Sequence, residues 1–161
     1  MTLESRTTFL SVTRLKPRGL RFLAPIALHT WRSRQQIERA PGFLEGYLAT
    51  GSGMALWTVT RWTDDAAMAA YRASAAHLKA MPSLAGSCSE AAVVHWISND
   101  DALPTPAQAA ERLLTGRTSK VRRPSPAHAA GDPWPDRLIP LRGPSLTPAA
   151  DTPRTSPGKE R

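Results

Sequence analysis

Hydrophobic positions in the first hundred residues alternate between two rhythms. Thr7–Leu15 is β-branched and partly alternating, which predicts a strand. Lys16-Pro17-Arg18-Gly19 then reads as a turn. From Leu20 to Arg39 the spacing lengthens: Leu20, Leu23, Ala27 and Trp31 fall on one line and Phe22, Ile26 and Ile37 near another, as on a helix. Pro25 sits early in it, and Ala40-Pro41-Gly42 ends it with the usual breakers. Gly42–Thr50 returns to alternation, Gly51-Ser52-Gly53 turns the chain, and Met54–Trp62 alternates again. On that third strand Ala55, Trp57 and Val59 oppose Leu56 and Trp62. Thr63-Asp64-Asp65 supplies a cap with acidic groups at a helix's positive end. Met68, Tyr71, Ala75 and Leu78 follow at helical spacing, and Met81-Pro82 is expected to end the helix. Ser87–Ile97 reads as a fourth strand. A short helix, Thr105–Leu114, follows, with Thr105 as its cap and Pro106 in its first turn.

The order β-α-β-β-α-β is the ferredoxin-like α+β plan, with a four-stranded antiparallel sheet. Two helices cover one face of such a sheet. Strands three and four are nevertheless apolar on both faces, where an exposed antiparallel face should be polar. A second copy packed sheet to sheet is the expected cover, so a homodimer is predicted. A cofactor or the C-terminal segment is the alternative cover.

Proline use changes the picture after residue 114. Of the 15 prolines only Pro17, Pro25, Pro41 and Pro82 precede residue 100. Dense proline defeats both helix and sheet. Residues 1–114 are therefore read as the α+β domain and 115–161 as a disordered tail. Trp134 and Leu138-Ile139-Pro140-Leu141 are apolar exceptions that could dock back on the domain. The 161-residue chain carries a net charge of +8, most of it in the tail. No aromatic-interleaved basic platform accompanies that charge, so nucleic acid is not an expected partner. The single cysteine excludes an intrachain disulfide and multi-cysteine zinc. No apolar run approaches the ~18 residues of a membrane span, and the first residues lack a signal-peptide stretch. A cytoplasmic protein is expected, with no membrane partner.

Particular segments carry a family resemblance. They are Arg32-Ser33-Arg34-Gln35, Ala40-Pro41-Gly42-Phe43-Leu44, Leu56–Trp62, Asp65-Ala66-Ala67-Met68, Ser74-Ala75-Ala76-His77 with Ala80-Met81-Pro82, and Val93-Val94-His95-Trp96. Through them the chain resembles the dimeric α+β barrel superfamily, and within it small antibiotic-biosynthesis-monooxygenase-like and spheroidene-monooxygenase-like proteins. The likeness covers about Thr8 to Trp96. It implies a ligand cavity between the sheet and its helices, and a monooxygenase acting on a hydrophobic small molecule without a tightly bound metal or flavin. A haem-binding or haem-degrading relative is the alternative it implies, and a non-catalytic binding module with a filled pocket is a third reading.

The resemblance makes His77 and Tyr71 the expected catalytic pair, since haem-degrading relatives carry a histidine near this helix's end with an aromatic residue upstream. The plainer reading of His77 is a cap on a negative helix end. Expected substrate contacts are Trp31, Trp57, Trp62, Arg61 and His95. Trp57 and Trp62 face opposite ways, so one should line the cavity. Arg61 needs a partner if buried, and Glu90 is the best placed. His29 faces the sheet or water. Cys88 reads as a small core residue. No histidine has a partner at metal-ligand spacing, so no metal site is expected.

Overall fold

A computed structural model of the chain describes residues 7–131, 137–141 and 145–150. The strands are β1 (Thr8–Pro17), β2 (Phe43–Thr50), β3 (Leu56–Trp62), β4 (Cys88–Ser98), β5 (Arg117–Thr118) and β6 (Ile139–Pro140). The helices are α1 (Leu23–Ile37), α2 (Asp65–Ala73), α3 (Ala75–Ser87), α4 (Pro106–Leu113) and α5 (Pro126–Ala130). The sheet is antiparallel throughout, in the order β5-β4-β1-β3-β2-β6. Its four central strands are the expected ferredoxin-like set.

Two of its strands correct the sequence reading. The sheet has six strands rather than four, and β5 and β6 come from residues assigned to the tail. Each is two residues long and pairs with an outer strand of the central four: Val93 opposes Arg117, and Thr50 opposes Ile139. Leu146 adds a further bridge, exchanging backbone hydrogen bonds of 3.0 and 2.9 Å with Gly46. Short extended pieces between prolines suffice here because an existing strand edge already offers aligned N–H and C=O groups. Trp134 and residues 151–161 lie outside the described residues.

The sheet's two faces divide by alternation. On one lie Val12, Tyr47, Ala49, Trp57, Val59, Ala92, Val94 and Trp96. This is the face for which a second copy was expected. The chain covers it itself: Ala109 and Leu113 of α4, with Leu103 and Leu138, pack on it, and Trp57 is fully buried. The Thr105–Gln108 capping box fixes where α4 starts, and the Arg112 guanidinium sits 5.1 Å over the Trp96 ring. The apolar face therefore gives no reason by itself for a homodimer.

A buried ion pair marks the same face. Arg14 donates to Glu90 at 2.6 Å, Ser125 at the cap of α5 donates to it at 2.8 Å, and Lys16 lies 3.4 Å away. Burial alone would raise the Glu90 carboxyl. Hydrogen bonds from Arg14 and Ser125, with the charges of Arg14 and Lys16, outweigh burial and hold it below the usual range.

The other face lies under α1, α2 and α3. Its core is Ile37, Phe43, Trp62, Met68 and Leu146. Gly42, at φ +80°, brings the turn before β2 against α2, where a Cβ would meet Ala67 at 2.5 Å and Thr63 at 2.6 Å. Among the described residues, no helix is long and apolar enough to cross a membrane.

Candidate functional site

The sheet face beneath the helices carries small hydroxyl residues. Ser11 of β1 opposes Thr60 of β3, and Thr13 opposes Thr58. Side chains this short do not fill the space under three helices. They leave a cavity of about 340 Å³, floored by those hydroxyls and walled by residues such as Leu48, Leu56, Met68, Met81 and Leu84. His95 continues the floor, since it opposes Ser11 on β4, and its ring lies 5.5 Å from that of Phe9.

His77 enters from above, at a place the sequence reading did not foresee. One helix was expected from Thr63 to Met81. It breaks instead at Ser74, whose extended backbone (φ −81°, ψ 160°) separates α2 from α3. α3 then runs through Pro82 to Ser87. Pro82 is exposed, so the backbone bond it cannot make faces solvent. His77 thus lies in the first turn of a helix. The reading of it as a C-terminal cap is overturned, because the positive end of a helix disfavours imidazolium.

Gln36 of α1 holds this break. Its amide donates to the Tyr71 carbonyl at 3.3 Å and its oxygen accepts from the His77 backbone N–H at 3.1 Å. One side chain therefore joins the Tyr71 carbonyl closing α2, which also accepts from Ser74, to an orphan N–H opening α3. An aromatic series adds to the support: Phe43–Trp62 at 5.3 Å, Trp62–Tyr71 at 5.2 Å and Tyr71–His77 at 5.1 Å between ring centroids.

The electrostatics follow from burial and charge. Burial, then the nearby Arg72 cation, lowers the His77 pKa. Burial, then Arg72 and Arg117, lowers that of His95. Both imidazoles are neutral at pH 7 and able to accept a proton. Tyr71 is pushed up to about 12 by burial, partly opposed by a side-chain hydrogen bond with Ser33, so its hydroxyl stays protonated.

The structure thus brings His77, Tyr71 and His95 to one cavity, together with His29. It places the other expected contacts elsewhere. Trp57 packs on the opposite face. Trp62 is on the cavity side of the sheet, yet it is spent in the core, its indole donating to Thr60 at 3.0 Å. Trp31 is 55 % exposed on the outer side of α1. Arg61 pairs with Glu45 at 2.7 Å, not with Glu90, which Arg14 has taken. The hydroxyl floor, Gln36 and Arg117 are the residues sequence reading missed. Cys88 is buried, with its thiol pushed up to about 11, and has no part in the cavity.

Among the described residues no three metal-ligating side chains converge. Haem does not fit the residues present either. The cavity is at the small end for a drug-sized ligand, let alone a porphyrin, and the Tyr71 ring lies against His77. A module with its pocket filled required no cavity here, and there is one. A second concavity of about 900 Å³, lined by Arg32, Arg39, Asp64 and Ser74, is an open groove between α1 and α2. It offers no imidazole.

No family model matches the sequence, and no curated protein matches it. Solved structures do match the fold. Rv0793 from Mycobacterium tuberculosis is 16% identical, with a TM-score of 0.54, over 59% of this chain and 98% of that one. PA3566 from Pseudomonas aeruginosa is 12% identical, with a TM-score of 0.52, over 57% and 94%. A Nitrosomonas europaea protein, provisionally described as an antibiotic biosynthesis monooxygenase, is 13% identical, with a TM-score of 0.51, over 63% and 96%. These likenesses show a shared fold. About two-fifths of this chain lies outside the match to the mycobacterial protein, which is itself covered almost completely.

Proposed function

We propose that the protein is an oxygenase of the cofactor-independent type, acting on a hydrophobic small molecule held between the sheet and α1–α3. The observation that carries this reading is a neutral, half-buried His77 in a cavity with apolar walls above a floor of hydroxyls. The fold likeness to a protein described as a monooxygenase is consistent with it.

Chemistry without a metal or flavin requires a substrate that can reduce O₂ once deprotonated. A phenol-activated methylene is the simplest such group. His77 takes a proton from it, and the resulting carbanion passes an electron to O₂. Recombination forms a carbon–oxygen bond, and the imidazolium returns its proton to give a hydroperoxide. Loss of water leaves a carbonyl. The balance is R₂CH₂ + O₂ → R₂C=O + H₂O, with one oxygen atom in the product and one in water. Tyr71, still protonated, exchanges its long 3.4 Å hydrogen bond to the Ser33 carbonyl for one to the developing negative charge. The apolar walls keep bulk water from quenching the carbanion.

Oxygen uptake by the purified protein with quinols and polycyclic phenols tests the reading. Uptake above the uncatalysed rate, lowered at least about a hundredfold in His77→Ala, is expected. No uptake with any member of such a panel contradicts it.

A further inference from the structure

The cavity's charge has one sign. Its rim holds Arg72 from α2, Arg117 from β5 and Lys120 just beyond. Arg34 also lines it, but Glu38 neutralises it across 3.1 Å. No aspartate or glutamate lines the cavity. Among the described residues no carboxylate lies within ion-pair distance of Arg72, Arg117 or Lys120, although Arg14, Arg61 and Lys16 have all found partners. Cations beside a low-dielectric wall raise the local concentration of anions and bind them more strongly than cations in open water do.

Two of these three cations belong to the chain beyond residue 114. β5 is anchored by pairing with β4 at Ala92 and Val93, and Ser119 donates its backbone N–H to the Ala91 carbonyl at 2.8 Å. The register sets Arg117 opposite Val93, a cavity residue, so the cation is delivered to the rim by backbone geometry.

We infer that the cavity selects an aromatic or polycyclic ligand bearing an anionic substituent, a carboxylate or comparable oxyanion, which Arg72 and Arg117 bind at the rim while the apolar body lies over the hydroxyl floor. This deepens the proposed function by naming the substrate class, and it rests on that reading only for the word substrate. Guanidinium suits the task, because its planar fork meets both oxygens of a carboxylate.

Two fluorescent probes of one ring system test it without turnover: anilinonaphthalene sulfonate, an anion, and phenylnaphthylamine, which lacks the sulfonate. The full-length protein is expected to bind the anion about tenfold more tightly, or about 1.4 kcal/mol. Arg72→Gln with Arg117→Gln should abolish that preference and leave the affinity for the neutral probe unchanged. Arg123→Gln with Arg137→Gln, an equal loss of net charge at two exposed residues outside the cavity, should keep it. In the unmutated protein naphthalene carboxylate should displace the anionic probe and its methyl ester should not. Equal affinity for the two probes, an equal loss of preference in the Arg123→Gln, Arg137→Gln variant, or displacement by the ester as efficient as by the acid overturns the inference. Oxygen uptake plays no part, so a protein that prefers the anion yet oxidises nothing removes the proposed reaction alone.

Discussion

His77 derives its character from a single backbone break. Had α2 run on past Ser74, the imidazole would sit in mid-helix, without the Gln36 contact that opens α3. Gln36→Leu keeps volume and removes both hydrogen bonds, so urea unfolding should report a loss of about 1–2 kcal/mol. An unchanged midpoint would mean that Gln36 does not tie α1 to the break. The neutral histidines also set a pH dependence. Their folded pKa values lie below the ordinary value of about 6.5, so below that pH the unfolded chain binds protons that the folded chain refuses. Stability should therefore fall as pH drops through about 6.5 and level off below the depressed folded values. A His77→Gln, His95→Gln variant should flatten that slope, and an unflattened slope would assign it elsewhere. Glu90 acts in a lower window. Its contribution is complete above the ordinary carboxyl value of about 4.3 and is lost as pH falls through its depressed folded value. His77 and Tyr71 were singled out by the family resemblance and His95 by its place on an alternating strand, and all three line the cavity. Trp57, Trp62 and Arg61 were equally visible, but alternation gives a face and does not say whether that face is packed or hollow.

At the scale of elements, the order of the central strands and their helices was legible from period alone. The cavity was legible too, in a signal left unread. Ser11, Thr13, Thr58 and Thr60 place polar residues on the helix-covered face, the reverse of what a filled core requires. Pro82 misled because a proline ends a helix only where the lost backbone bond cannot be exposed. The two-residue strands β5 and β6 carry no period of their own, and partner edges rather than propensity create them. α4 makes the strongest claim at this scale. Leu113 is buried against the face that Trp57 shares, so Leu113→Ala should cost about 2–4 kcal/mol in thermal or urea unfolding. A loss within about 0.5 kcal/mol, the range of surface substitutions, would show that α4 does not cover the sheet.

For the whole molecule, the described residues beyond β4 are part of the structure on both faces. α4 and Leu138 hide the apolar face, while Arg117 and Leu146 help enclose the cavity on the other. The sequence called for a second copy because the short helix Thr105–Leu114, though expected, was not assigned to that face, and Leu138 lay in a segment whose prolines suggested disorder. A chain ending at Leu103 should therefore self-associate more strongly than the full chain in sedimentation velocity, as Trp57, Val94 and Trp96 come into contact with water. Equal behaviour of the two chains would mean that these residues are hidden by something other than α4 and Leu138. The most direct test of the central claim is oxygen labelling. Under ¹⁸O₂, the unmutated protein with a phenol-activated methylene substrate should give a carbonyl product carrying one ¹⁸O atom, and His77→Ala should give almost none. Product oxygen drawn from water, or labelling undiminished in His77→Ala, would contradict it.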